Sequence, residues 1–462
     1  MKLQSIQALR GLAALLVVFY HIRSLEIIGI AENGFTEQAW TGGVFTNGYA
    51  GVDLFFVISG FIMVFVTRDA GTGLKAAADF LFARATRIYP VWWGFAGFMA
   101  AYMIGVHGLS GMGEGWGAIS RSEPLVPYLV KSFLLVPQPE FPILGVGWTL
   151  VHEMYFYAVF TVLMLLPRKL LPFMLGGWGA LIVAGTLLGY AVVFAGTYRD
   201  LVFYPMTMEF ILGALAGYAV TKGFRWHNGV VTLLAMLWLL AALCYQGLET
   251  AFTLEWGRVL WFGLPSALLV YGLGGVDLQR RTAWLLPAFA GLVVTVALYQ
   301  MFGLHDASPD AARLSATILS VTVGAIAMMI VLWFGWLLGQ GAPGALRNMQ
   351  PVFRRLLAAA VRLGDWSFSL YLCHMIVLSP LRRVFGAAGR IDFLKPAFQL
   401  GHPGPLDNLV FLATGTLLCV AASAITYRLL ERPCIILFSK MRAAMFHRSR
   451  QQAEAEAEPA TA

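Results

Sequence analysis

Residues 5–21 read SIQALRGLAALLVVFYH, an apolar run that carries an arginine and ends on a histidine. A helix needs about 20 mostly apolar residues to cross a bilayer, and this run with its flanks is long enough. Arg10 and His21 are eleven residues apart. That separation is three helical turns plus about 20°, so both side chains face the same way along about 16 Å of helix axis. Because ionisable groups are costly at bilayer depth, the pattern indicates a polar site inside a helical bundle.

The whole chain has the composition of an integral membrane protein. Of its 462 residues, 59% are hydrophobic and 12% are charged, whereas soluble domains carry about 25% charged residues. Backbone groups in lipid must pair within their own segment, so we predict an all-α polytopic transmembrane helical bundle. The shorter apolar piece Leu125–Pro137 is expected to lie at the interface or to re-enter. Spans are predicted at about 7–27, 49–67, 88–106, 146–166, 171–195, 201–221, 228–246, 257–275, 284–303, 314–339, 366–386 and 407–430.

The distribution of basic residues predicts that both termini are cytoplasmic. With that orientation, most of the 32 Lys and Arg residues fall on the cytoplasmic side, as the positive-inside rule requires. One cluster, Arg382, Arg383, Arg390 and Lys395, falls in an outer loop. Either that loop meets an anionic partner or the last two predicted spans are misplaced. The net charge of +8 is therefore mainly a topological signal and gives little reason to expect a nucleic-acid partner.

Two acidic residues in predicted spans are candidates to act with His21. Asp53 lies in GVDLFFVISGF at 51–61 and enters the bilayer at about the depth of His21. A carboxylate there would fix the imidazole tautomer and raise its basicity. Glu153, in WTLVHEMYFY, would orient His21 or the acceptor. Both acids also suit a structural role near a helix N-terminus, where the dipole favours negative charge.

A basic pair marks the cytoplasmic side of the third predicted span, in RATRIYP at 84–90. Arg84 and Arg87 are three residues apart and share one helical face, where their guanidinium forks suit phosphate oxygens. The structural alternative is that these two residues and Arg10 anchor the protein by reaching to lipid headgroups.

The remaining polar and aromatic candidates are less specific. Glu209 and His374 either line the site or pack between helices, and Trp148 and Tyr157 are more typical of packing or of an interfacial belt than of a sugar platform. We treat all four as candidate substrate-site residues. The four cysteines show no paired spacing, so no metal site is predicted.

Six motifs together resemble the membrane-bound acyltransferase-3 family. In chain order they are LRG followed by His21, GVDLFFVISGF, RATRIYP, WTLVHEMYFY, SFSLYLCH and the closing ERP at 431–433. The sequence of the fourth motif, WTLVHEMYFY, is most similar to the exopolysaccharide-acetylating branch of the family. The resemblance covers 1–433, with a cytoplasmic tail at 434–462 that is expected to be disordered at its end. Family members usually have about ten spans, so 284–340 is expected to be an inserted helical hairpin.

The resemblance implies a bacterial inner-membrane enzyme that transfers an acyl group, expected to be acetyl, from cytoplasmic acyl-CoA to a hydroxyl of an exopolysaccharide or other surface glycan. It implies that His21 is the base, oriented by Asp53 or Glu153. It also implies that the CoA phosphates are held by Arg10, Arg84 and Arg87.

The partners implied are a glycan or lipid-linked glycan acceptor, membrane lipids and polysaccharide export machinery. The alternative is a transporter or flippase that moves a lipid-linked glycan without chemistry, since buried charges also suit such a pathway. Transporters are often built from internal repeats, and no such symmetry is visible between the halves of this chain.

Overall fold

A computed structural model describes residues 3–36, 43–111, 124–192, 194–244, 255–279 and 350–447, together with 318, 322–324 and 326. Within these residues the secondary structure is helical and contains no strand. The prediction of an all-α polytopic bundle is therefore confirmed. The expected hairpin at 284–340 falls almost entirely outside the described residues, as does the end of the tail, so both stay predictions.

The principal α-helices follow the predicted spans closely. They are α1 Gln4–Glu32, α2 Ala50–Val66, α3 Leu74–Gly111, α4 Leu125–Leu134, α5 Trp148–Leu163, α6 Leu171–Leu187, α7 Thr207–Thr221, α8 Asn228–Cys244, α9 Leu264–Leu278, α10 Gln350–Ala388, α11 Leu406–Thr426 and α12 Arg432–Arg442. Three-residue to five-residue helices lie at Tyr198–Val202, Trp256–Arg258 and Lys395–Phe398. A π-helical turn, Val259–Gly263, joins the second of these to α9.

Seven helical stretches in the described part of the chain are long and apolar enough to cross a membrane by length and composition. They are Gln4–Glu32, Gly145–Leu163, Arg168–Leu187, Tyr198–Thr221, Trp256–Leu278, Arg355–Ala388 and Leu406–Phe446. Shorter apolar helices are Ala50–Val66, Leu125–Leu134 and Asn228–Cys244. The predicted spans 284–303 and 314–339 cannot be compared, because almost none of their residues is described.

Several helix ends differ from the prediction, and α10 begins at Gln350 and not near residue 366. For two other ends the structure gives the physical reason. α6 ends at Leu187 rather than near residue 195, because Gly189 takes a left-handed φ of 77° and the N–H of Tyr190 bonds back to the carbonyl of Gly185. This is a common way to end a helix. α3 begins at Leu74, well before residue 88, because the basic segment containing RATRIYP continues the helix without a break.

The short helix α4 is ten residues long, which is about 15 Å and half of what a bilayer crossing needs. Its last carbonyls accept hydrogen bonds from α3. Trp92 Nε1 donates to Ser132 O at 3.0 Å, and Tyr89 Oη donates to Leu134 O at 2.8 Å. These bonds satisfy carbonyls that a helix end leaves without partners. A helix that stops short and is capped by its neighbour fits the expectation that this segment does not cross.

The helices fall into two compact units. The first comprises Met1–Phe65 and Met208–Ser423, and the second comprises Val66–Thr207 and Ala424–Ala462. His21, Asp53, Glu209 and His374 therefore belong to the first unit, as does Arg10. The basic pair on α3 and the aromatic and acidic candidates of α5 belong to the second.

In the first unit, α1 packs against α10 along its length. The helices are so close that a Cβ on Gly364 would come within 1.8 Å of the backbone oxygen of Gln7. The side-chain amide of Gln7 donates to Asp365 at 2.8 Å. At the start of α1, Ser5 donates its backbone N–H and its hydroxyl to Asp277, at 2.8 Å and 2.7 Å. These contacts fix the position of α1, the helix that carries Arg10 and His21.

Two residues of the basic cluster predicted for the last outer loop form ion pairs within the chain. Arg382 contacts Glu32 at the end of α1 at 2.5 Å, and Lys395 contacts Asp392 at 2.6 Å. α10 and α11 also lie where the last two spans are predicted. The cluster therefore gives no reason to move those spans.

In the second unit, α3 packs against α5 and α12. The guanidinium of Arg442 on α12 donates two hydrogen bonds to the carboxylate of Asp79 on α3, at 2.5 Å and 2.7 Å. This bidentate geometry is the strongest common form of ion pair. It holds α12 beside the part of α3 that carries the basic pair.

Candidate functional site

The first unit brings two histidines from distant parts of the chain into contact. His21 lies on α1 and His374 on α10, and the Nε2 atom of His374 is 3.3 Å from the Nδ1 atom of His21. The ring centroids are 4.8 Å apart. The His374 side chain is fully buried, whereas His21 is half-buried. The close packing of α1 on α10 is what places the two rings together.

The hydrogen bonds of this histidine pair assign the tautomers. His21 Nδ1 lies 2.9 Å from the carbonyl oxygen of Val17, and His374 Nδ1 lies 3.3 Å from that of Leu370. A carbonyl only accepts, so each Nδ1 carries the proton. The Nε2 of His374 then accepts from His21, and the Nε2 of His21 keeps a lone pair. His21 is thereby arranged as a proton acceptor, which is what a general base requires.

The described hydrogen bonds of Asp53 come from Arg258, so its predicted action on His21 stays a prediction. Arg258 Nε and Nη2 donate to the two carboxylate oxygens of Asp53, at 3.2 Å and 2.7 Å. The side chain of Asp53 is fully buried and that of Arg258 is 13% exposed. A buried carboxylate needs a compensating charge, and a guanidinium supplies it where a neutral imidazole does not. The imidazole of His21 instead takes its orientation from Val17 and His374.

Two further acids surround this ion pair. Glu209 on α7 is fully buried and interacts electrostatically with Asp53 and Arg258. Gly263, in the π-helical turn, leaves room for it, since a Cβ there would lie 2.8 Å from Glu209 Cγ. Glu255 lies 3.7 Å from Arg258. One guanidinium thus stands among three carboxyl groups in an apolar bundle, and its removal would leave buried acid without a partner.

Arg10 keeps the predicted relation to His21. Because α1 is continuous from Gln4 to Glu32, the two residues are three turns apart on one face of one helix. Arg10 is half-buried. Its predicted role in holding a phosphate group stays a prediction.

The second unit brings the basic pair together with three other polar candidates. The guanidinium of Arg84 lies 5.7 Å from the ring centroid of Phe80, and its Nε is buried without a hydrogen-bond partner among the described residues. Glu153 and Tyr157 hydrogen-bond to each other and interact electrostatically with Arg84. Since Glu153 lies here, its predicted role in orienting His21 or the acceptor stays a prediction.

The partner of Arg87 is an acid of the closing ERP motif. Arg87 Nη2 lies 4.0 Å from Oε1 of Glu431, whose side chain is 1% exposed. The third and sixth motifs of the sequence therefore meet in one ion pair, with Arg84 one turn away on α3. Two guanidinium groups on one face can still receive an anionic ligand, because the Nε of Arg84 has no hydrogen-bond partner among the described residues.

Trp148 occupies a packing position. Its ring makes an edge contact with His152, and His152 stacks on Tyr204 at a centroid distance of 4.5 Å. Aromatic stacking of this kind stabilises the start of α5. The predicted contact of Trp148 and Tyr157 with the substrate stays a prediction.

The comparison with known families decides what kind of protein carries this arrangement. The family model of an acyltransferase domain matches residues 3–336, well over half of the chain. The chain belongs to the acyltransferase-3 family. The resemblance inferred from the six motifs is thereby confirmed.

Two curated relatives match this acyltransferase over most of their length. It is 28% identical to the exopolysaccharide production protein ExoZ of Rhizobium meliloti over 407 residues, which cover 86% of this chain and 92% of ExoZ. It is 26% identical to the acyltransferase MdmB of Streptomyces mycarofaciens over 454 residues, which cover 96% and 94%. No solved structure matches the chain. The protein is therefore a multi-pass membrane O-acyltransferase, and family membership favours an enzyme over the transporter alternative.

Arg258 is the residue of this acyltransferase that sequence analysis missed. It stands at the start of a predicted span and looks like one more basic residue at a membrane boundary. The available signal was the need of Asp53 for a counter-charge at bilayer depth. That need says that a basic partner exists, but 205 residues separate Asp53 from Arg258, and only the packing of the helices identifies it.

Proposed function

We propose that this acyltransferase moves an acetyl group from cytoplasmic acetyl-CoA to a hydroxyl group of an exopolysaccharide or of its lipid-linked precursor, in the bacterial inner membrane. The observation that carries the proposal is the hydrogen-bonded pair of His21 and His374. A neutral imidazole whose Nε2 bears a lone pair is the group that acyl transfer to an alcohol requires, because an alcohol is a weak nucleophile until its proton is taken.

The reaction follows from that protonation state. The Nε2 of His21 takes the hydroxyl proton of the acceptor while the hydroxyl oxygen attacks the thioester carbonyl carbon. The carbon–sulfur bond then breaks, the ester forms, and the imidazolium returns its proton to the departing thiolate of CoA. His374 holds the imidazole ring during both proton transfers, because its Nε2 accepts from His21 Nδ1 at 3.3 Å.

The donor side of the proposal rests on arginines. CoA carries phosphate groups, and guanidinium forks bind phosphate oxygens with two parallel hydrogen bonds. Arg84 and Arg87 lie on one face of α3, and the buried Nε of Arg84 has no hydrogen-bond partner among the described residues. Arg10 faces the same way as His21 on α1. We assign these three residues to the CoA phosphates.

The acceptor side rests on the relatives. ExoZ is named as an exopolysaccharide production protein, and it matches this chain over 92% of its own length. The proposed acceptor of the acetyl group is therefore a glycan. The acetylated glycan would then pass to polysaccharide export machinery. Glu209, His374, Trp148 and Tyr157 are retained as candidate acceptor-contacting residues.

A labelled-donor assay tests this function. The purified protein in lipid nanodiscs is incubated with acetyl-CoA carrying label in the acetyl group and with exopolysaccharide stripped of its esters by mild base. Wild-type protein is expected to place base-labile label on the glycan. His21→Ala is expected to lose transfer while still binding acetyl-CoA, and Arg84→Gln is expected to bind acetyl-CoA more weakly.

Matched variants control for non-specific damage. His402→Ala removes a histidine whose ring contacts only the adjacent Pro403 carbonyl among the described hydrogen bonds, and Arg199→Gln removes an arginine that is 70% exposed. Both are expected to transfer label at the wild-type rate. Full transfer by His21→Ala removes the imidazole from the mechanism. Binding of acetyl-CoA without any transfer by the wild type contradicts the proposed acceptor.

A further inference from the structure

The ion pair of Asp53 and Arg258 is buried and bidentate. Both oxygens of the carboxylate are bound, at 3.2 Å and 2.7 Å, and the carboxylate is fully buried. A charge-assisted pair with two hydrogen bonds has a fixed geometry. Breaking a buried pair by removing one partner is strongly destabilising, because the other charge stays buried. The start of α2, which carries Asp53, is therefore held firmly to the segment that precedes α9.

The start of α2 also lies directly on the backbone of α1. A Cβ on Gly51 would be 2.2 Å from the carbonyl oxygen of Ala13, and one on Gly48 would be 2.4 Å from that of Leu16. No side chain separates the two segments at these points. Since protein interiors are close-packed and transmit displacement, a shift of α2 moves the turn of α1 that leads to His21.

A row of aromatic contacts makes a second connection. The guanidinium of Arg258 lies 4.9 Å from the ring centroid of Tyr49. Tyr49 makes an edge contact with Tyr20 at 5.6 Å, and Tyr20 makes one with His21 at 5.0 Å. Such contacts prefer particular ring angles, so each ring limits the rotation of the next. The row begins at the same guanidinium that binds Asp53 and ends at the histidine pair.

We propose that Arg258 is a positioning residue for acyl transfer, whose two-pronged ion pair with Asp53 fixes α2 and the tyrosine pair against the turn of α1 that orients His21. This inference rests on the proposed role of His21. It assigns Asp53 to holding Arg258, not to contact with the imidazole. Arg258 acts on the reaction through these neighbours and does not touch the substrate.

The experiment compares Arg258→Gln, Arg258→Lys and the double variant Asp53→Asn/Arg258→Gln in the labelled-acetyl assay. Donor binding counts the folded molecules, and kcat per donor site is measured across pH. We expect kcat of Arg258→Gln to fall by about 10- to 100-fold, the size of loss that small misplacement of a reacting group causes. KM for acetyl-CoA is expected to stay constant. Arg258→Lys should be intermediate, since it keeps the charge and loses the fork.

The pH profile separates positioning from loss of folded protein. The titratable groups in contact with His21 are Tyr20 and His374 in the described part of the chain. A displaced imidazole changes its contacts with them, so the pH of half-maximal kcat shifts. Fewer folded molecules lower the total rate by one factor at every pH and leave kcat per donor site unchanged.

The double variant keeps the test decisive if Arg258→Gln does not fold. It removes one buried carboxylate together with the guanidinium, so it leaves less uncompensated negative charge than Arg258→Gln does. It is expected to fold and to keep a lowered kcat with a shifted pH profile. A folded variant, single or double, with the wild-type kcat and profile overturns the inference. Lys395→Gln, which removes an exposed ion pair within the first unit, is the control and should match wild type. Absence of transfer by wild-type protein is a different result, because it removes the proposed function itself.

Discussion

The backbone carbonyl of Val17 decides which nitrogen of His21 can take a proton, because a carbonyl only accepts hydrogen bonds. The Nδ1–H of His21 is shared between the carbonyl of Val17 and the Nε2 of His374, at 2.9 Å and 3.3 Å. The Nε2 of His21 is therefore the nitrogen that keeps a lone pair. His374 owes this role to its full burial beside α1, where water cannot replace it as the acceptor.

Substitution of His374 tests its role as the hydrogen-bond acceptor for His21 Nδ1. His374→Gln keeps an oxygen that can accept from His21 Nδ1, whereas His374→Phe keeps the bulk and loses the acceptor. We expect kcat to fall by about 3- to 10-fold more in the phenylalanine variant, the worth of one neutral hydrogen bond. Steady-state transfer rates per folded molecule measure the difference, with His402→Gln as the matched control. Equal rates for the two variants would show that the hydrogen bond has no catalytic weight.

At this scale the sequence located the ionisable residues but not their partners. His21 and Asp53 were found because charge in an apolar run is costly and needs an explanation. Spacing gives the face of a helix on which a side chain lies. It does not give the neighbouring helix, so spacing alone does not identify Arg258 as the residue that binds Asp53. Pairings across hundreds of residues depend on packing that periodicity does not contain.

The packing of α1 on α10 shows how two helices control the histidine pair. A Cβ on Gly364 would lie 1.8 Å from the backbone oxygen of Gln7, and one on Gly11 would lie 2.9 Å from the backbone nitrogen of Gly364. Small residues let two helix backbones approach closely in membranes. The close approach of α1 and α10 at these glycines thus also determines the separation of the two imidazoles, which lie further along the same interface.

Gly364→Ala is expected to force the two helices apart. Overpacking of this kind costs about 1–3 kcal/mol of stability, and it should also lower transfer, because the histidine pair depends on the same interface. Thermal unfolding in detergent and the labelled-acetyl assay measure the two effects. Gly386→Ala is the matched control on the same helix, since a Cβ there meets no atom within 4 Å. Equal melting temperatures for the two variants would contradict the close approach of the helices.

Helix positions were predicted well because length and hydropathy determine which segments can cross a bilayer. The errors fall at ends. α6 ends early at a glycine with positive φ, and α3 begins early because its polar first turns are outside any apolar window. Helix capping and polar helix extensions involve only a few residues. A hydropathy average over about 20 residues therefore does not detect them.

The two clusters of candidate site residues are each built from parts of the chain that are distant in sequence. The histidine pair lies in the first unit and the basic pair in the second. Each unit is assembled from segments that are distant along the chain, so neither site could be read from one continuous stretch of sequence. The six motifs in order were informative as a set because each supplies one part of these two assemblies.

The orientation of the molecule is a prediction for the whole chain. The distribution of basic residues predicts, by the positive-inside rule, that both termini are cytoplasmic. Alkaline phosphatase, which is active only outside the cytoplasm, is therefore expected to be inactive when fused after His447. It should be active when inserted at Pro403, in the loop before α11. An insertion at Gly71 serves as the cytoplasmic control, and activity there or after His447 would reverse the assigned orientation.

The π-helical turn Val259–Gly263 has a consequence for how the ion pair can change. In a regular α-helix, residues five apart point about 140° away from each other, whereas i→i+5 bonding brings them nearly onto one side. Arg258 and Gly263 thereby both face the buried acids. Arg258 donates hydrogen bonds to Asp53, and Gly263, which has no side chain, leaves room for Glu209. The turn holds one residue more than α-helical bonding uses. Re-registration of its backbone bonds would withdraw the guanidinium from Asp53 locally, while α9 keeps its place in the bundle.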